Sequence, residues 1–304
     1  MDKEDDILAD HSQAIPEEDF KSDTYVLRKP CLVMFFSRTV PNMQYEKGKR
    51  YEKKTITIED GSSTLANEEV DVDIGTIHDF LSGISRQTKM KPVFKLIRNP
   101  TLENIDDKLG ELKDKGHKYG SFIFVICSYL DKGDEIEIYN GSVSIDHFFD
   151  KIKSFESMAA KPKLFLIQAD DKKLIPTASI TKGSTTFVTN VVTKKIPTDA
   201  DKIVIFSTIP QVVVNRQLPA KQHTESGQSV SQSSEEPKSS LLIQAFIDVL
   251  RTNANMDLLS NTPFINGKVV ELFRELDPTK VDIPVPLVTS TLTKQWLLGG
   301  SLHV

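Results

Sequence analysis

From Pro30 onward the chain alternates between apolar runs of strand length and longer stretches whose apolar residues recur every three or four positions. That alternation constrains the fold more than any other feature. Continuous apolar runs belong to strands covered on both faces, and intervening helices let such strands lie parallel, since a parallel neighbour is reached only through a crossover. The strand candidates are Cys31 to Phe36, Pro92 to Ile97, Phe122 to Cys127, Leu164 to Gln168, Ile203 to Ser207 and Leu287 to Leu292. They read as βαβ units of an α/β fold with a largely parallel sheet.

The connecting helices are visible in their periodicity. Leu102, Ile105, Leu109 and Leu112 fall on one face, which must pack on the sheet. Ser144 is a good N-cap for a helix carrying Ile145, Phe148, Phe149, Ile152 and Phe155 inward. A third helix follows Ser240 with Leu242, Phe246, Val249 and Leu250, and a fourth runs from Lys268 to Leu276, closed by Asp277 and Pro278.

The rest of the chain reads as connecting material around one domain. Residues 1–25 are polar and acidic without periodicity, a short disordered tail in which no separate recruitment domain fits, and residues 26–304 form the domain. Lys172 to Lys195 is a loop, within which FVTNVV has the composition of a short strand. Pro219 to Ser239, rich in Ser, Gln and Glu, reads as a mobile surface insertion.

Composition excludes several classes. Hydrophobic residues at 38% and charged residues at 27% are the balance of a globular protein. A net charge of -5, with no basic patch interleaved with aromatics, argues against a nucleic-acid partner. The start MDKEDDILADHSQ lacks the positive and apolar regions of a secretion signal, and no apolar run reaches the length of a membrane span, so no membrane partner and a cytoplasmic location are expected. The two cysteines, Cys31 and Cys127, sit in apolar runs and read as buried free thiols. No matched histidine or acid is spaced for metal ligation, and neither a metal nor a cofactor is expected.

Several blocks together resemble the caspase family. KPKLFLIQADD, Lys161 to Asp171, is similar to the block ending in that family's nucleophile signature Q-A-C-[RQG]-G, with Asp170 at the cysteine position. FIFVICSYLDKGDEIEIYNG is similar to the strand and loop carrying S-H-G, with Tyr129 at the histidine and Leu130 at the glycine. EEVDVDIGTIHDFL resembles the S-G-T-D-x-D helix start, KKIPTDADKIVIFSTIP the start of the small subunit, SSLLIQAFIDVL its first helix, and PLVTSTLTKQWLL the last strand. The likeness spans about Pro30 to Leu298. It implies a three-layer caspase-like α/β sandwich whose mostly parallel six-stranded sheet is flanked by helices. It also divides the domain into a large-subunit-like part (26–171), a linker (172–195) and a small-subunit-like part (196–304) holding the insertion 219–239.

The departures fall on the chemistry. A cysteine protease needs a thiolate to attack, an imidazole to move the proton and amides facing the oxyanion. An aspartate gives a weak oxygen nucleophile and a labile anhydride product, and a tyrosine, with an ordinary pKa of about 10, is a poor base near neutral pH. A bulky Leu130 would also crowd the oxyanion space. Of the arginines with which the family holds a substrate aspartate, the matching positions are Asn67, Asp171 and Arg216, so the pocket is expected not to read aspartate. As strand-end residues, Asp170 and Asp171 are expected to face solvent, and Tyr129 to lie in a loop.

The resemblance therefore implies a catalytically inactive family member, with no catalytic residues and with Tyr129, Leu130 and Asp170 as vestigial positions. The linker lacks the aspartates at which active members mature, so the chain is expected to stay in one piece. The edge strand Leu287, Val288, Thr289, Ser290, Thr291 and Leu292 is expected to pair with a homologous chain. The expected partner is an active, executioner-like caspase paralogue, held as a heterodimer and either inhibited by a decoy or activated allosterically in apoptosis; a homodimer is the other assembly. The alternatives are a non-cleaving homodimeric scaffold that binds peptides and a hydrolase with altered chemistry.

Overall fold

The structure, a computed structural model, describes residues 21–38, 51–57, 64–87, 91–171, 200–210, 238–279 and 283–298, with backbone alone for 51–57, 64–69 and 85–87. The elements in chain order are β1 (Cys31–Ser37), β2 (Tyr51–Thr57), β3 (Thr64–Asp71), α1 (Val72–Gln87), β4 (Pro92–Arg98), α2 (Leu102–Lys115), β5 (Ser121–Leu130), β6 (Glu135–Ile138), β7 (Gly141–Ser144), α3 (Ile145–Ile152), β8 (Lys163–Asp171), β9 (Lys202–Ser207), α4 (Leu241–Thr252), α5 (Leu258–Leu276) and β10 (Leu287–Ser290).

The expected α/β sandwich is present. The main sheet runs in the order β10-β9-β8-β5-β1-β4, parallel throughout except for the antiparallel pair β9 and β10. Alternate residues of the central strands feed two cores, as the pleat requires. Val33, Phe35, Ile123, Val125, Leu164 and Ile205 pack against α1, α4 and α5. Leu32, Met34, Phe122, Phe124, Phe165 and Ile167 pack against α2 and α3. Burial on both faces is why these strands are continuously apolar. On the second face Phe165 stacks on Phe124 at 4.6 Å and meets Phe149 edge-on at 4.7 Å.

Several boundaries differ from the sequence reading. The sheet has eight strands, because the hairpin β6–β7 joins β5 through the pair Leu130 and Ile136. A separate ribbon, β2–β3, leads into α1. Both hairpins are dilute in apolar residues and so look like surface loops. Helix α5 begins at Leu258, well before Lys268, despite Pro263. Asp257 caps it through Ser260 N at 3.1 Å, and the Leu259 carbonyl, which loses the Pro263 amide, accepts the Thr262 hydroxyl at 2.8 Å. Ser144 does cap α3, accepting from Asp146 N at 3.2 Å. Leu102 stays exposed while Ile105, Leu109 and Leu112 are buried.

Strand β10 ends at Ser290, so Thr291 and Leu292 lie outside the predicted edge strand. Thr291 still donates to Lys202 O at 2.7 Å, and its carbonyl accepts Asp201 N at 2.9 Å, but the Leu292 amide turns to Ser290 Oγ. At the other terminus, Thr24 bridges Gln295, and the Tyr25 hydroxyl donates to Asp201 at 2.5 Å. Residues 24 and 25 are thus anchored to the domain and not part of a disordered tail, and burial pushes the Tyr25 phenol up to about 12. The linker 172–195 with its FVTNVV segment, and the insertion up to residue 237, lie outside the described residues. Among the described residues no helix is long and apolar enough to cross a membrane.

Candidate functional site

The topology marks the carboxyl end of the sheet, between β1 and β5, as the place for a crevice. After β1 the chain passes to β3 and α1 on one face, whereas after β5 it passes to the hairpin and α3 on the other. Loops that leave adjacent parallel strands in opposite directions open a cleft between them, the usual place for ligands in such sheets. The last residues of β5 flank that place, and those of β8 lie beside them in register.

Four predicted site positions meet there. Tyr129 is the register partner of Asp170, and Leu130 that of Asp171, across the parallel pair β5 and β8. Three expectations about them need correction. Tyr129 is a strand residue 5% exposed, and Asp170, expected to face solvent, is 3% exposed. Both strands continue past the point where their apolar runs stop, because backbone pairing does not depend on side-chain polarity. Asp171 N, for instance, donates to Thr208 O at 3.0 Å. Asp170 is held by Gln168, whose Nε2 donates to Asp170 Oδ1 at 2.8 Å and to Ile209 O at 2.7 Å. Leu130 does not crowd the space beside Tyr129, since strand alternation turns it to the opposite face, where it packs on the α2–α3 core. Asn67 falls within β3, and Arg216 lies outside the described residues.

One step back from the crevice, Ser37, Cys127, Gln168 and Ser207 are in register across β1, β5, β8 and β9. All are buried on the α1 and α4 face. Arg38 follows, also buried, with its amide on Cys127 O at 2.9 Å, its guanidinium on Asn99 Oδ1 at 2.9 Å and its charge 5.6 Å from the Tyr139 ring centroid. Asp71 ends β3, where its carboxylate accepts Asp73 N at 2.9 Å, and Asp73 accepts Ser240 N at 2.6 Å. The ligand atoms of Asp71, Asp73 and Cys127 lie within 4.8 Å of one another. The sequence reading missed this cluster because the thiol and the acids are far apart in the chain; its only local trace is the VDVD pattern at a strand-to-helix junction.

No thiol and imidazole meet at this crevice among the described residues. Cys31 is at the opposite end of the sheet, fully buried, and desolvation pushes its thiol up to about 12. His78 lies against the Phe94 ring, His147 pairs with Asp106 at 2.7 Å, and His117 is in the turn before β5. The chemistry at the strand ends is that of a phenol, two carboxylates and a carboxamide.

Strand β10 forms the outer edge of the sheet, beside β9. There Leu287 and Val285 are 41% and 52% exposed, whereas Val288 packs on the core.

Comparison with known proteins agrees with this fold. The profile of the family described as the caspase domain matches residues 55–297. The fold is similar to the solved structure of pro-sf-caspase-1, with a TM-score of 0.56 and 17% identity, covering 91% of this chain and 98% of that one. It is similar also to caspase-1 from Spodoptera frugiperda, with a TM-score of 0.55 and 17% identity, covering 93% and 96%. No curated protein matches the sequence significantly.

Proposed function

The chain belongs to the caspase domain family, and from that premise we propose that it is a catalytically inactive member that regulates an active caspase by pairing through its edge strand. The observation that carries this reading is the pair Tyr129 and Asp170. They are register partners at the strand ends whose sequence resembles the blocks carrying the family's general base and nucleophile, and they bring a phenol and a carboxylate where amide hydrolysis needs an imidazole and a thiolate. No other thiol substitutes for the missing one, because the chain's two cysteines are both buried, one at the far end of the sheet. Asp171 beside the crevice would also repel a substrate carboxylate.

The exposed apolar side chains Leu287 and Val285 at the sheet's edge support pairing with a homologous chain. Such a partner is inhibited if the pair fixes its active-site loops in an unproductive state, and activated if the pair favours the ordered state. Either outcome requires only different binding free energies for the two states. A peptide-binding homodimer is the second reading supported by the same edge and crevice.

The test combines turnover and sizing. The purified chain, offered a broad panel of fluorogenic peptides, is expected to hydrolyse none, and with an active executioner-like caspase it is expected to elute as a heterodimer that changes that enzyme's rate. Turnover that disappears in Asp170→Ala would instead make the chain a hydrolase. A homodimer indifferent to the caspase but retaining peptides would favour the scaffold.

A further inference from the structure

The geometry points to a divalent-cation site of the zinc class, built from Asp71, Asp73 and Cys127 beneath the crevice. All three residues are buried, and their ligand atoms lie within 4.8 Å of one another. A thiolate with carboxylate oxygens is a donor set that a borderline-soft cation accepts, whereas magnesium and calcium prefer oxygen alone. Tetrahedral zinc, with bonds of about 2.0 to 2.3 Å, sets its ligand atoms about 3.5 Å apart, so the three groups need only a modest inward movement.

An independent observation concerns the polar atoms around Cys127. Ser37 and Gln168 are its register neighbours in β1 and β8, each is 1% exposed, and both lie on its face of the sheet. Among the described residues Ser37 Oγ and Gln168 Oε1 make no hydrogen bond, and the same holds for the buried Ser240 Oγ just before α4. Buried polar atoms without partners are uncommon, and here three of them border a thiol and two acids. Either an amide oxygen or a hydroxyl can complete a four-coordinate site.

The carboxylates are also oriented from outside. Asp71 accepts Asp73 N and Asp73 accepts Ser240 N, so each spends an oxygen on a backbone amide that fixes the direction of the other. On binding, the Cys127 S–H bond breaks, its proton passes to solvent, and the sulfur lone pair forms the bond to the cation. The bound ion would tie β3 and α1 to β5, while Ser240 extends the link to α4.

Cobalt(II) titration of the metal-stripped full chain tests the site, because a thiolate ligand produces a near-ultraviolet charge-transfer band. One equivalent is expected to develop the band, zinc is expected to displace it, and Cys31→Ala is expected to leave it unchanged. Cys127→Ala, folded by circular dichroism, should lose the band and bind zinc at least about 100-fold more weakly. Asp71→Asn, which keeps the thiol, should weaken binding without abolishing the band. Absence of the band in the unaltered chain, its survival in Cys127→Ala, or crystals grown with zinc that show only water among these residues would overturn the assignment.

Discussion

Replacing Asp73 tests how α1 is joined to α4. Asp73 lies in the first turn of α1, and its carboxylate accepts the amide of Ser240, the residue preceding α4, at 2.6 Å. Both residues are fully buried. A buried hydrogen bond to a charged group contributes about 1.5 to 3 kcal/mol. The carboxylate also faces the positive end of α4, worth up to about 2 kcal/mol in a partly buried setting. Relief of the carboxylate's own desolvation offsets part of this, so Asp73→Ala should destabilise by about 3 kcal/mol. Asp73→Asn keeps an oxygen for Ser240 N and should cost about 1 kcal/mol. Urea unfolding followed by circular dichroism, with a chelator present to exclude any metal contribution, measures both. With a slope near 3 kcal/mol per molar, Asp73→Ala should lower the midpoint by about 1 M and leave the slope unchanged. A midpoint shift under about 0.2 M for Asp73→Ala, or an equal loss for both variants, would refute the reasoning.

Phe165→Ala should destabilise by about 3 to 5 kcal/mol, since it empties a fully buried position between the rings of Phe124 and Phe149; thermal unfolding against wild type measures it, and a loss under about 1 kcal/mol would count against the packing described. Leu287→Lys, at an exposed edge position, should leave the fold intact and weaken pairing with another chain at least about tenfold by analytical ultracentrifugation, because a charge on a sheet edge opposes strand pairing. Glu111 accepts from Lys108 at 2.8 Å and Lys115 at 3.1 Å and lies 3.4 Å from Lys95. The Lys108 hydrogen bond, followed by the Lys115 bond and the charges of Lys95 and Lys108, outweighs desolvation and holds its carboxyl at about 2. A carboxyl held below its unfolded value stabilises the fold above that value, about 4.5, and loses the contribution as pH falls toward about 2. Solvent screening at this half-exposed site leaves about 1 kcal/mol, so Glu111→Gln should be less stable than wild type at neutral pH, with a gap that closes between pH 4.5 and 2; a pH-independent gap would exclude the ion pairs as its source.

Which chemical groups stand at the ends of β5 and β8 was legible in the chain, because residue identity alone decides it. QADD and SYL name the groups at the carboxyl ends of β8 and β5, and no packing detail turns Asp170 into a thiol or Tyr129 into an imidazole. The cluster of Asp71, Asp73 and Cys127 was not legible. Its members lie on separate elements, and periodicity reports which face a residue takes, not which distant residue shares that face.

The sequence by itself determined the layered α/β architecture, since strands covered on both faces must be apolar throughout and helices covering them must be apolar on one side. It also determined which chemical groups lie at the sheet's carboxyl end. Tertiary structure alone decided that Tyr129 and Asp170 are buried strand partners, that β10 stops at Ser290, and that a thiol meets two carboxylates under α1. These outcomes depend on where backbone pairing ends and on contacts between residues far apart in the chain, and burial follows the finished packing, not the polarity of any one side chain.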